Sequence, residues 1–323
     1  DDQCRKMALS SLGEWEQKPG YCSLLHIIIS NKQIDNGLRF MAISCFKNAV
    51  HKFWLPRNQL TQGITKEEKS SIREKLFELF DEEDNLNAVH IALLYAKIAR
   101  FDFPNEWPQV LHHLIELEQN ANSSNLLKLR VLLALKFTVK ALSTKLLMAP
   151  RAEFRKIAPD VLQYLGNIWG ATNQQILSAL AALSSGENIP NGFDATMEAC
   201  KLSLQSMKPL LQYGILNVTQ SQIATDLLRG FLPSLREYVK YARVSLPQNI
   251  AKYVNKYITV SCKIVVDIQQ QSGPFEPFLV PYLEFFWGEV SNITVDSSTP
   301  TILQKFGVYC LRYIKNVITT RYM

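Results

Sequence analysis

The sequence is poor in glycine and proline and lacks the short motifs that mark many catalytic sites. Glycine and proline account for only 13 and 14 of its 323 residues, so no large fibrous or low-complexity region is expected. It contains no glycine-rich phosphate loop, no HExxH or GxSxG motif and no CxxC pair. Its histidines have no evident acidic or nucleophilic partner. We therefore expect no enzyme, no cofactor and no metal site, and an active site assembled from distant residues remains the weakest alternative.

The cysteines and the uncharged segments do not indicate a secreted or membrane-spanning protein. Most of the six cysteines fall inside apolar helical patterns, which is typical of reduced core thiols in a cytosolic or nuclear protein. The segment 161–186 carries no charge, but it contains five asparagine and glutamine residues. A membrane span needs about 20 mainly apolar residues. We expect no membrane insertion.

The charges are nearly balanced and dispersed along the sequence. Lysine and arginine number 35 against 29 aspartates and glutamates, which gives a net charge of +6. Over residues 66–78 basic and acidic side chains alternate, as on a solvated helix face. Nucleic-acid-binding proteins usually carry a concentrated basic stripe. Because the sequence shows none, no direct contact with nucleic acid is expected.

Apolar residues recur at helical spacing through almost the whole chain, and strand patterns are scarce. Leu38, Met41, Ala42 and Cys45 follow the i, i+3, i+4, i+7 pattern of one helix face. The predicted helices lie near 3–15, 20–30, 35–54, 65–80, 85–100, 106–119, 123–144, 150–170, 173–184, 194–213, 220–242, 247–270, 276–291 and 299–319. Thr65 and Glu68 form a potential capping box. Pro19 and Pro104 are expected to precede helices, whereas five later prolines mark breaks at 150, 190, 247, 274 and 300.

Helix pairs recur about every 40 residues, as in HEAT and armadillo arrays. A single compact core rarely grows beyond about 250–300 residues. The predicted fold class is therefore all-α, and a resemblance to a known family, carried by the segments quoted below, favours an α-α superhelix, or HEAT-repeat solenoid, with right-handed stacking of antiparallel helix pairs. A compact all-α domain is the alternative.

The segment RFDFPNEWPQVL, residues 100–111, predicts a rigid corner between two helices. A residue before proline is displaced from helical conformation, so the first helix must end at Phe103. Pro104 and Pro108 suit the first turn of the next helix. Trp107 can bury its ring between the two helices. We expect Asp102 to accept backbone N–H groups and to favour the positive helix N-terminus.

Four segments together resemble the N-terminal module of the importin-β (karyopherin-β) superfamily of nuclear transport receptors. They are EWEQKPGYCSLLHII (14–28), LRFMAISCFKNAVHKFW (38–54), ITKEEKSSIREKLFELF (64–80) and AKIARFDFPNEWPQVL (96–111). The pattern is most similar to the importin-eleven branch. The resemblance implies importin-β N-terminal repeats over 1–119 and further HEAT repeats over 120–323, in an N-terminal fragment of a longer receptor.

The resemblance also implies partners and a binding surface. Family members bind Ran-GTP through early repeats, carry cargo proteins and contact Phe-Gly nucleoporins while shuttling between nucleus and cytoplasm through the pore. By analogy, the helices near 20–30, 65–80 and 106–119 face Ran. The candidate contact residues, which lie outside the apolar stripes, are Glu67, Lys69, Ser70, Glu74, Gln109, His112, His113 and Glu116. Asp102, Pro104, Trp107 and Pro108 form the family's structural motif.

The direction of transport is not determined by this segment. Import is the first hypothesis, and an exporter of the same superfamily is the second, because the two share this N-terminal module. A HEAT-repeat scaffold unrelated to transport is the third.

Overall fold

The computed structural model describes residues 2–55, 63–120, 124–292 and 300–319, and within these ranges the regular elements are all helical. The chain forms two compact units, residues 1–145 and 146–323. The all-α prediction is confirmed by this absence of strands in the described ranges.

The described part of the first unit contains seven α-helices. Helix α2 packs on α3, α3 on α5, and α7 on both α5 and α6. Phe46, Trp54, Leu94 and Val110 are fully buried in its core. The helices are α1 (Asp2–Trp15), α2 (Tyr21–Ser30), α3 (Asn36–Phe53), α4 (Lys66–Lys75), α5 (Asn85–Asp102), α6 (Val110–Gln119) and α7 (Asn125–Ser143), and a 3-10 turn, Leu76–Phe80, directly follows α4.

The second unit continues the same pattern. Helix α8 packs on α9 and α10, α11 on α9 and α13, and α12 on α13. Tyr238 stacks on Tyr257 with ring centroids 3.8 Å apart. The helices are α8 (Met148–Ser184), α9 (Phe193–Pro209), α10 (Gln222–Tyr241), α11 (Gln248–Ile268), α12 (Ser272–Asn292) and α13 (Thr301–Thr319), and a π turn, Leu210–Gly214, follows α9.

Helix α8 is one continuous element, so the predicted break between 170 and 173 is wrong. Trp169, Asn173 and Ile176 continue one buried face through the polar run TNQQ at residues 172–175. Asn173 can be buried because its amide donates to Ser234 Oγ at 3.0 Å and its carbonyl accepts from Tyr238 at 3.1 Å. The hydrogen-bonded asparagine thus takes the place of an apolar residue in the stripe.

Two of the prolines expected to mark breaks lie inside helices. Pro150 and Pro274 occupy the first turns of α8 and α12. Backbone N–H groups in a first helical turn have no partner within the helix, so a proline there removes no helical hydrogen bond. Both helices consequently begin two or more residues before their predicted starts.

The capping box at α4 is only half formed. Thr65 Oγ1 accepts the backbone N–H of Glu68 at 3.2 Å, as predicted. The Glu68 carboxylate does not return to Thr65. It accepts the backbone N–H groups of Gly20 at 3.1 Å and Ser23 at 3.4 Å, at the N-terminus of α2. One side chain of α4 therefore caps a neighbouring helix.

Candidate functional site

The corner between α5 and α6 is closed by backbone hydrogen bonds to one carbonyl. Helix α5 ends at Asp102, and Phe103 is extended, with φ −74° and ψ 136°. The Asp102 carbonyl accepts the N–H groups of Glu106 at 2.8 Å and Trp107 at 3.2 Å. Helix α6 begins only at Val110. Pro104 and Pro108 therefore lie in the connecting turn, and their predicted place in the first turn of α6 is wrong.

The Asp102 side chain has a different role from the predicted one. It is buried, and it accepts the indole N–H of Trp54 at 2.7 Å and the Arg73 guanidinium at 2.8 Å. Trp54 is completely buried, and a buried indole N–H needs an acceptor. The Asp102 carboxylate is this acceptor, whereas the backbone carbonyl of Asp102 accepts the N–H groups of the turn. One carboxylate thus connects the ends of α3 and α5 to α4.

Trp107 fixes the other side of the corner. Its buried ring lies against Tyr95 of α5, with centroids 5.0 Å apart, and Tyr95 in turn contacts Phe80 at 5.3 Å. The indole N–H donates to Nδ1 of His113 on α6 at 3.4 Å. The aromatic row therefore sets the separation between α4 and α6.

A groove of about 720 Å³ lies between α4 and α6. Each helix contributes side chains at i, i+3 and i+4, which is the spacing of one helix face, and the residue at i+7 lies just beyond the helix end. The aromatic rings of Tyr95 and Trp107 also line the groove. The α4 row consists of Ser70, Arg73 and Glu74, followed by Phe77 of the 3-10 turn, and the α6 row of His113, Glu116 and Leu117, followed by Asn120 directly after the helix, with Leu114 beside it.

Four of the eight candidate contact residues meet in this groove. They are Ser70, Glu74, His113 and Glu116, all of them exposed.

The other four candidates lie outside the groove. Glu67 and Gln109 are exposed, and His112 is half-buried. Lys69 is also half-buried, with its ammonium 5.7 Å from the centroid of the Trp54 ring.

The prediction missed Arg73 and Phe77. Arg73 donates to both Asp102 and Ser70 Oγ, so its guanidinium is held at the edge of the groove. Phe77 is 48% exposed although it is a large apolar residue. Its position seven residues after Ser70 was a usable signal, because it lies off the buried stripe formed by Ile72, Leu76 and Leu79.

Helix α2 adds an exposed apolar surface in the same unit. Leu24, Ile27 and Ile28 are 50%, 63% and 36% exposed. Solvent-exposed apolar residues grouped on one helix are typical of protein-binding surfaces.

The described residues show no grouping of ligands suited to a metal ion, and none of their helices is apolar enough over a sufficient length to span a membrane. All six cysteines are free thiols.

Comparisons with known proteins agree with the architecture. The family model "Importin-beta N-terminal domain" matches residues 8–82. Human Importin-11 is 28% identical over 320 residues, which cover 98% of this chain and 32% of that protein. The chain thus spans about a third of the length of this relative.

Two solved structures share the fold. The Saccharomyces cerevisiae protein Lph2, described as a bidirectional nuclear transport receptor, has a TM-score of 0.79 at 22% identity over 97% of this chain and 31% of its own. The exportin Cse1 in its cargo-free, cytoplasmic state has a TM-score of 0.74 at 14% identity, covering 99% of this chain and 34% of its own. Both likenesses confirm the HEAT-repeat solenoid class. Residues 8–82 thus match the importin-β N-terminal domain, and over almost its whole length the chain is similar to proteins of the importin-β superfamily, importin-11 among them.

Proposed function

We propose that this chain is the Ran-GTP-binding part of a nuclear transport receptor that imports protein cargo through the nuclear pore. Its contacts with Ran would come from the exposed apolar residues of α2 and from the groove between α4 and α6. The observation that carries the proposal is the groove itself, with its two facing rows of side chains. Shuttling between nucleus and cytoplasm, and weak contacts with Phe-Gly nucleoporins, belong to the same proposal.

The groove has the composition of a protein-binding hot spot. Phe77, Tyr95 and Trp107 supply aromatic surface, and Arg73 supplies a pre-oriented cation. Aromatic residues and arginine are enriched where interface energy concentrates. The Asp102 carboxylate and Ser70 hydroxyl already hold Arg73, so little side-chain entropy would be lost on binding. The exposed carboxylates of Glu74 and Glu116 would meet basic residues of the partner.

Isothermal titration of the whole chain with Ran tests the proposal directly. Ran loaded with a non-hydrolysable GTP analogue should bind, and Ran loaded with GDP should bind far more weakly. Phe77→Ser with Glu74→Arg should weaken the GTP-form complex by about a hundredfold, or ~2.7 kcal/mol. The matched control, Met41→Ser, changes a residue on α3 that is 57% exposed and should have little effect. Equal affinity for both nucleotide forms would contradict the proposal.

Export is the second candidate function. The Dictyostelium discoideum protein Exportin-2 is 21% identical over 308 residues, and Cse1 has the same fold. Linkage separates the two directions in a full-length receptor, because coupling between two ligands is reciprocal. Ran-GTP should lower the affinity of an importer for its cargo and raise that of an exporter. A HEAT-repeat scaffold unrelated to transport would bind neither form of Ran.

A further inference from the structure

The exposed face of α10 carries a row of cations in the second unit. Arg229, Arg236 and Lys240 are separated by seven and four residues, which places them on one side of the helix, and Arg243 follows in the turn directly after the helix ends. All four are exposed. We call them the α10 stripe. The sequence does not show it as a cluster, because buried apolar residues separate its members.

A groove of about 570 Å³ runs beside the stripe. Leu177 of α8 and the buried Phe285 of α12 line it, together with Pro233 of α10. The neighbouring part of α8 carries no charge between residues 161 and 186. The groove thus combines an apolar slot with a positively charged edge.

The positive charge of the stripe is only partly neutralised. Lys240 pairs with Glu237 at 2.6 Å, and Arg243 pairs with Glu289 at 2.6 Å. Arg236 lies 5.7 Å from the Phe285 ring centroid. Within the described ranges, no carboxylate lies at ion-pair distance from Arg229 or Arg236. Two exposed guanidinium groups therefore remain available to an anionic partner.

We propose that the α10 stripe and its groove bind an extended acidic segment of a partner protein, which places one apolar side chain between Leu177 and Phe285. Arg229 and Arg236 would bind its carboxylates in the bidentate geometry that guanidinium favours. The surface suits nucleic acid less well. The apolar lining of the groove by Leu177, Pro233 and Phe285 suits an aliphatic side chain, whereas the buried Phe285 ring offers no open face on which a base could stack.

The proposal is independent of the Ran-binding surface. The stripe lies on α10, in the second unit, whereas the groove between α4 and α6 lies in the first. Failure of either experiment leaves the other proposal intact.

Fluorescence anisotropy with the whole chain and a short labelled peptide tests the charge requirement. The peptide contains alternating aspartate and serine around a single leucine. Replacing Arg229, Arg236 and Lys240 by glutamine should weaken binding by about tenfold. The matched control replaces three exposed lysines of α11 by glutamine: Lys252, Lys256 and Lys263. This control variant loses the same amount of positive charge, and its affinity for the peptide should change by less than about twofold. Equal losses in the two triple variants would overturn the proposal.

A gain of affinity provides a test that misfolding cannot imitate. Glu237→Gln frees the Lys240 ammonium from its ion pair and should tighten peptide binding by about twofold to threefold. Replacing the central leucine of the peptide by serine should weaken its binding to the unaltered protein by about threefold or more. The proposal would be overturned if Glu237→Gln weakened binding, if the leucine made no difference, or if single-stranded oligouridylate bound as tightly as the peptide.

Discussion

The carboxylate of Asp102 accepts the indole N–H of Trp54 at 2.7 Å, joining residues 48 positions apart. Both are buried, and Arg73 completes the group from α4. The corner that begins at Asp102 is therefore stabilised by contacts from outside the segment 100–111 as well as by its own backbone hydrogen bonds.

Asp102→Leu should lower the free energy of unfolding by about 3 kcal/mol. The change leaves the Trp54 N–H and the Arg73 guanidinium without their buried acceptor. Asp102→Asn keeps a neutral acceptor and should cost roughly half as much, ~1.5 kcal/mol. The free energy of unfolding of both variants can be measured by urea unfolding, monitored by circular dichroism. Glu106→Gln, at an exposed position, is the control. A leucine variant as stable as that control would contradict the prediction.

The buried ion pair between Arg39 and Glu82 makes a second prediction. Their side chains are 4% and 2% exposed, and Arg39 Nε also donates to the Ile29 carbonyl at 2.9 Å. Glu82→Leu should cost about 4 kcal/mol, because it leaves a buried, unpaired guanidinium. The double variant Arg39→Met with Glu82→Leu should be more stable than Glu82→Leu alone. Urea unfolding measures the loss of stability in each variant. If the loss in the double variant equalled the sum of the losses in Arg39→Met and Glu82→Leu, the two charges would not be coupled.

Acid should destabilise the first unit through His90. Its ring lies 4.7 Å from Phe40, and its Nδ1 is 3.1 Å from the Lys47 ammonium. Burial, and secondarily Lys47, lower the pKa of His90 below its ordinary value. The unfolded chain therefore binds the proton more readily than the folded one. The stabilisation is fully present above about pH 6.5 and decreases as the pH falls below it.

His90→Phe keeps an aromatic ring against Phe40 and removes the titration. The variant should lose less stability than the unaltered protein between pH 7.5 and pH 5.5, as measured by urea unfolding at each pH. His51→Phe, at an exposed position of α3, is the control and should retain the original pH dependence. A His90 variant with that same dependence would contradict the assignment.

Two glycines should respond in opposite directions to alanine. A Cβ at Gly214, in the π turn after α9, would lie 2.4 Å from Cβ of Ala158 in α8. Gly214→Ala should therefore cost about 2 kcal/mol through a backbone shift. A Cβ at Gly170, inside α8, would meet no atom within 4 Å. Gly170→Ala should stabilise by about 0.5–1 kcal/mol. Thermal unfolding distinguishes the two, and equal shifts would refute the packing argument.

Local periodicity was sufficient to predict an all-α chain and most helices, because each helix buries a stripe at regular spacing, whereas the solenoid prediction depended mainly on the family resemblance. It failed in α8, where Asn173 occupies a core position. A polar residue can do so only when distant partners satisfy it, and Ser234 and Tyr238 lie more than 60 residues further along the chain. A local pattern does not contain that information.

The same reasoning explains which residues of the groove between α4 and α6 were predicted and which were missed. The positions of Ser70, Glu74, His113 and Glu116 follow from helical spacing once the buried stripes are known. Arg73 also fits that spacing, but the carboxylate that orients it comes from another helix pair. The Ran contacts remain predictions.

The bond from Glu68 to the N-terminus of α2 has a consequence for how the molecule opens. When α4 frays, the amide protons of Gly20 and Ser23 lose their acceptor and become available to deuterium. Their exchange should therefore follow the melting of α4 as well as that of α2. We therefore expect helices α1 to α4 to unfold as one cooperative unit, and not one helix at a time from the N-terminus.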